Sequence, residues 1–222
     1  MAGDIEINAG NSNKIIIEAN GIEPIPERAE GLKRVGAGGE DNTGVGLSLT
    51  KNDNEIQLYG AVSMHSNINY KITIPKSLKI YIELGIFNHG DIDISGISSD
   101  IELDVKNSDI KMKDITGPTV ISSLSGNINL SFSNVNQSSP FSIKAISGDI
   151  DLSLPANTRA DLELSSMSGG IYTNFEFQNS DKNAGDLNYI GGGSKVRSKI
   201  NGGGVKITVS AISGNIYFRK KK

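Results

Sequence analysis

The chain has 222 residues, a formal net charge of −3 and a sequence pI ≈ 5.5. That length can bury a core as one elongated domain or two small ones, and the acidic balance offers nucleic acid no electrostatic attraction. Cysteine is absent, which excludes a disulfide framework, a thiolate metal site and a thiol nucleophile.

No apolar run reaches the about 18 residues of a membrane-spanning helix, and the first residues given do not read as a secretory leader. Met1-Ala2-Gly3 runs straight into Asp4-Ile5-Glu6-Ile7. That opening is expected of a chain trimmed at a processing site, whose precursor could carry a lipid anchor.

In chain order, Ile5-Glu6-Ile7 and Lys14–Glu18 read as strands joined by a Gly/Asn turn at Asn8-Ala9-Gly10-Asn11. Pro24 to Gly46, rich in Gly and charge, reads as an irregular loop with one helical turn opening at Pro26. Strands follow at Val45–Thr50, Glu55–Tyr59 and Asn69–Pro75, the first two joined by a turn at Asn52-Asp53-Asn54. Lys79–Leu84 alternates polar and apolar residues, the mark of a half-buried strand. No stretch of 10–12 residues keeps a 3.6-residue apolar period, so the class is all-β.

From Gly90 to Phe218 one phrase recurs. It appears as His89-Gly90-Asp91-Ile92-Asp93-Ile94, Ser125-Gly126-Asn127-Ile128-Asn129-Leu130 and Ser147-Gly148-Asp149-Ile150-Asp151-Leu152. It returns at Ser168-Gly169-Gly170-Ile171 and Ser213-Gly214-Asn215-Ile216-Tyr217-Phe218, with looser copies at Ser99–Leu103 and Ser108–Met112. Ile92, Ile110 and Ile128 lie 18 apart; Ile150 follows after 22 and Ile171 after 21. A second apolar track runs Ile101, Val120, Ile143, Leu162, and both tracks then jump 45, to Ile216 and Ile207. Coils of about 20 residues with two strands each predict a solenoid, the joint jump marking an extra coil or an insertion. A propeller blade needs about 40–45 residues, and an antiparallel sandwich would not repeat a phrase in register. The predicted fold is a right-handed parallel β-helix or solenoid over 85–222, with a β-rich N-terminal cap over 1–84, in one continuous elongated body.

Alternation sends the Ile residues of each phrase inward and its polar residues outward, with Gly, Ser and Asn making the corners. Stacking about 4.8 Å apart then lines up two outward columns. One is Asp93, Lys111, Asn129, Asp151, Tyr172 and Tyr217; the other is Asp91, Asp109, Asn127, Asp149, Gly170 and Asn215. Tyr172 and Tyr217 are the candidate ligand contacts, as stacking faces for a sugar or another protein.

No catalytic, metal or cofactor residues are expected. The Asp column lacks the Gly-Gly-x-Gly-x-Asp form of calcium-binding β-rolls and reads as sheet solvation. His65 and His89, the two His of the chain, sit in polar, loop-like sequence. Acids on neighbouring strands meet glycosidase spacings by accident. Gly191-Gly192-Gly193 and Gly202-Gly203-Gly204 bracket a short strand, Lys195–Ile200, and lead into another strand, so they read as tight corners and not a phosphate loop. Arg219-Lys220-Lys221-Lys222 reads as a solvated tail.

The phrases, the run Ile200-Asn201-Gly202-Gly203-Gly204-Val205-Lys206-Ile207 and Pro75-Lys76-Ser77-Leu78-Lys79-Ile80 together resemble the bacterial adhesin family, adhesin-like domains of unknown function. That resemblance implies a β-helix-like fold, export to the periplasm or surface, an adhesion role, and no catalytic residues. The resulting expectation is a non-enzymatic envelope or cell-surface protein that binds a protein or glycan partner of the envelope or a host. A periplasmic structural or sensing module is the alternative, and a glycan-cleaving β-helix enzyme stands behind it.

Overall fold

The computed structural model describes residues 3–33, 35–36, 39–52, 55–61, 67–86, 89–178 and 193–221. Asp53 and Asn54 of the expected turn, His65, residues 179–190, the Gly191-Gly192 pair and Lys222 lie outside the described residues.

Strands come first as β1 (Ile5–Gly10) and β2 (Ile16–Asn20), then a 3-10 turn at Glu27–Ala29 just after Pro26. Two hairpins follow, β3 (Val35–Gly36) with β4 (Gly39–Glu40), and β5 (Leu47–Asn52) with β6 (Glu55–Gly60). Next are β7 (Asn69–Pro75), β8 (Ile80–Leu84), β9 (Ile92–Ser95), β10 (Ile101–Asn107), β11 (Ile110–Ile115) and β12 (Thr119–Ser125). The chain continues through β13 (Ile128–Phe132), β14 (Phe141–Ser147), β15 (Ile150–Leu154), β16 (Ala160–Ser166) and β17 (Ile171–Thr173). It ends with β18 (Ser194–Ile200), β19 (Val205–Ser213) and β20 (Ile216–Lys220).

Alternate strands fall into two sheets. The first has the order β17-β20-β15-β13-β11-β9-β1-β7-β2 and the second β18-β16-β19-β14-β12-β10-β8. Pairing is parallel throughout both, except for the antiparallel strands at two ends, β2 on β7 and β18 on β16. A coil is therefore one strand of each sheet joined by two corners, and each coil buries its inner face only by stacking. Strands drawn from 1–84 and from 85–222 share both sheets, β1 pairing with β9 and β10 with β8.

In the first sheet Ile92, Ile110, Ile128, Ile150 and Ile216 stand in register and are almost fully buried. In the second sheet the inward row is Leu103, Ile121, Ile143, Val209 and Leu164. This corrects the expected second track. Val120 points to solvent at 43% exposure, because Ile121 takes the inward place, and Leu162 pairs with Ile207 two residues before Leu164 and Val209. Ser99–Leu103 likewise lies on the second sheet, whereas the other phrases enter the first. The two inner faces meet in one apolar core, in which Phe132 stacks on Phe141 at 5.3 Å and Phe175 meets Phe218 at 4.9 Å.

The paired 45-residue jump is real, since Leu162 aligns with Ile207 and Ile171 with Ile216. The order of the coils, however, differs from their order in sequence. The last coil, β19–β20, lies between the β14–β15 coil and the β16–β17 coil, while β18 runs back along the outer edge of β16. A similar interposition occurs at the N-terminus, where β1 slots between β7 and β9. The first and last strands are thus both held inside a sheet.

A smaller cluster of Leu47, Ile68 and Tyr70 closes the N-terminal region. The Tyr70 hydroxyl donates to the Val45 carbonyl at 3.0 Å, and burial, then the Asp41 charge, push its pKa up to about 12. Asp41 accepts N–H groups from Thr43, Gly44 and Gly46, which hold its carboxyl below the ordinary value although partial burial opposes this. The expected irregular loop thus contains the β3–β4 hairpin, and the Asp41 bonds fix its exit into β5.

Candidate functional site

The corner phrases come first, because they decide which polar groups are free. The Asn127 N–H donates to the Asp109 carboxylate at 2.7 Å, the Asp149 N–H to the Asn127 side-chain oxygen at 3.1 Å, and the Asn215 N–H to Asp149 at 2.7 Å. At the ends of the row, the Asp91 N–H reaches Asp4 at 2.9 Å and the Gly170 N–H reaches Asn215 at 3.0 Å. The Asp/Asn column is a ladder in which a side chain of one coil satisfies a backbone donor of the next. Its acids are structural acceptors, which explains why Asp and Asn alternate freely along it.

Where the ladder gathers Asp4, Asp91 and Asp109, with Asp93 beside them, the charges crowd. Partial burial at the corner, then the Asp109 charge, push Asp91 above the ordinary carboxylate value. An Asp with a raised folded-state pKa costs stability once ionised; the fold regains that stability as pH falls through the raised value. Asp91→Asn keeps the acceptor and removes the charge. It is expected to stabilise the protein at neutral pH by about 0.5 kcal/mol, the scale of a solvent-screened charge contact. Urea melts at pH 7 and pH 4 check this: the gain should shrink at the lower pH, and a destabilised variant at pH 7 would refute the ladder assignment.

His89 borders a shallow hollow with Asp91, Asn107, Ser108 and Asp109. Ser108 stands where Gly126 and Gly148 stand in the next coils; it is buried, its Oγ lacks a partner, and its φ is not positive. The hollow is a corner of different backbone shape. Gly202 and Gly203 also make a corner, at φ +86° and +82°.

The expected outward column is present, with its final order changed: Asp151 pairs with Tyr217, and Tyr217 with Tyr172. The Tyr rings stack at 5.3 Å and 16°. Arg219 lies 5.1 Å from the Tyr217 centroid and donates from Nε to both Asp151 oxygens, at 2.9 and 3.1 Å. Lys221 pairs with Asp114 at 3.0 Å and Lys220 lies 5.6 Å from the Phe175 ring, so the expected solvated tail is instead strapped to the body.

Two surface features escape sequence reasoning. Leu124, Ile146, Ile212 and Met167, each immediately before a Ser in the Ser-Gly copies, form an outward aliphatic row on the second sheet at 40% to 62% exposure. Their recurring position was the available signal. Glu163 gathers Arg197 at 2.9 Å, Lys206 at 3.4 Å and Lys195 at 3.6 Å, and the Arg197 hydrogen bond holds its pKa low. That cluster needs the antiparallel register of β18, which no spacing reveals.

Stacked two-strand coils with parallel sheets and ladder-bonded corners define a β-solenoid-like protein. A model of the Toastrack DUF4097 family matches residues 86–219, and the chain belongs to that family. A crystal structure of a "putative cell adhesion protein" from Clostridium sporogenes is similar at 12% identity and a TM-score of 0.40, over 99% of this chain and 89% of that one. No curated protein matches the sequence.

Proposed function

We propose that this is a non-enzymatic protein of the bacterial envelope or cell surface, exported, which binds proteins or glycans through its extended sheet faces. The observation that carries the reading is the division of labour among outward residues. Among the repeated acids of the phrases, the groups a glycan-cleaving enzyme would need, Asp109 and Asp149 accept backbone N–H groups of the next coil and Asp151 is held by Arg219. Rigid rows of apolar and aromatic side chains are left facing water, including the aliphatic row and the Tyr172–Tyr217 pair. Tyr172 and Tyr217 are the proposed contacts. Residues 1–84 and 85–222 act as a single unit in this reading, the N-terminal strands serving as the cap.

Protease shaving of intact cells that express the full gene product tests this. Cleavage on intact cells, matched in lysed controls, is the expected result. Protection until lysis would discard the surface role and favour a periplasmic structural or sensing module.

A further inference from the structure

We infer that the outer ring face of Tyr172 is a stacking subsite for one pyranose ring of a neutral oligosaccharide; this rests on the binding reading above and names its ligand. The argument starts from the order of the layers. Asp151, Tyr217 and Tyr172 occupy successive strands β15, β20 and β17. Arg219, tied to Asp151, covers the Tyr217 face on the β15 side, and Tyr172 covers the other. β17 is the terminal strand of its sheet. The stack therefore ends on Tyr172, which is 55% exposed, with its outer face open among the described residues.

The ring is also held in place before any ligand arrives. Tyr217 fixes it from one side. Beneath it, Gly170 replaces the Asp or Asn of the other coils, and a Cβ there would fall within 2.8 Å of the Tyr172 ring. Sequence and packing thus combine to lock a large exposed side chain in one orientation. Such preorganisation lowers the entropy lost on binding.

The chemistry of the surroundings selects the ligand. An aromatic face is negative and attracts the weakly positive C–H groups of a sugar's apolar face. The charge that touches the stack, Arg219, is paired with Asp151, so the stack itself favours neither an anionic nor a cationic ligand. The Gly170 carbonyl accepts the Ile216 N–H at 2.9 Å, so in a parallel pair the N–H and C=O groups of Ile171 and Thr173 point away from β20. These groups suit sugar hydroxyls. A docking protein strand is disfavoured, because β17 has only 3 residues and the chain then leaves to pair Gln178 with Lys199.

Saturation-transfer NMR with the intact chain tests the subsite, using cellotetraose, mannotetraose, galactotetraose and tetra-N-acetylchitotetraose as probes. At least one is expected to receive saturation at its ring C–H protons. Its affinity should fall about five- to tenfold in Tyr172→Ala, the loss of one ring-face contact, and persist in Tyr172→Phe. Thermal melts of Tyr172→Phe should match the parent, and Tyr172→Ala should still unfold in one cooperative step with at most a small shift for the lost stack on Tyr217. Equal binding by Tyr172→Ala, or no transfer to any of the four probes, overturns the inference. Sugar binding by a protein that resists shaving would overturn only the surface role; shaving without sugar binding would overturn only this subsite.

Discussion

Replacing Gly148 by Ala is expected to cost about 3 kcal/mol or more of folding stability, whereas Gly44→Ala should cost about 1 kcal/mol. Both glycines have positive φ, +120° and +74°. At Gly44 an added Cβ meets nothing within 4 Å, so only the left-handed backbone penalty applies. At Gly148 the Cβ would lie 2.2 Å from the Gly126 carbonyl oxygen of the preceding coil. That oxygen is backbone and cannot swing away. Relief requires the two coils to separate at the corner, which would pull the Asp149 N–H from Asn127. Chemical denaturation of the two variants measures the contrast. Equal losses would mean that the corner is set by φ alone and that coil spacing plays no part.

The same corner shows how far the sequence could be read. Small residues before each Ile announced tight turns, and period-2 alternation placed Ile92, Ile110, Ile128 and Ile150 correctly, because each phrase carries its own phase. β12 has no such phase: Val120 and Ile121 are adjacent and both apolar, so alternation alone could not say which faces inward, and a one-residue slip exchanges the faces. Coil order was also hidden. A spacing of 45 says that two segments are equivalent, and β-strand pairing is decided by which apolar faces and corner acceptors match in space. Asp149 can receive Asn215 as readily as it could a residue of the next coil in sequence. Tyr172 and Tyr217 were legible as outward aromatics, but not the Arg219 layer or the Gly170 seat, which depend on side chains crossing between coils.

That hidden order predicts an unusual pattern of protection and a severe core mutant. A solenoid is held together by nearest-neighbour interfaces, so its terminal coil ordinarily opens first. Here the chain's last coil has a neighbour on both sides in both sheets. Native-state hydrogen exchange should therefore find the amides of β19 and β20 as protected as those of β13, with β17 and β18 exchanging sooner. Phe218 is the test residue within that coil. Its ring is fully buried, 4.9 Å from Phe175, and its backbone pairs with Leu152 on one side and Thr173 on the other. Phe218→Ala should cost about 3–5 kcal/mol, a large share of the roughly 5–15 kcal/mol available to a domain. Because the cavity opens between two coils, the loss should also speed exchange in β17, which reaches the rest of its sheet only through β20. Rapid exchange of β20 in the parent protein, or a Phe218→Ala variant that melts like it, would show that the final coil lies outside the stack and that the β16–β17 coil packs directly on β14–β15.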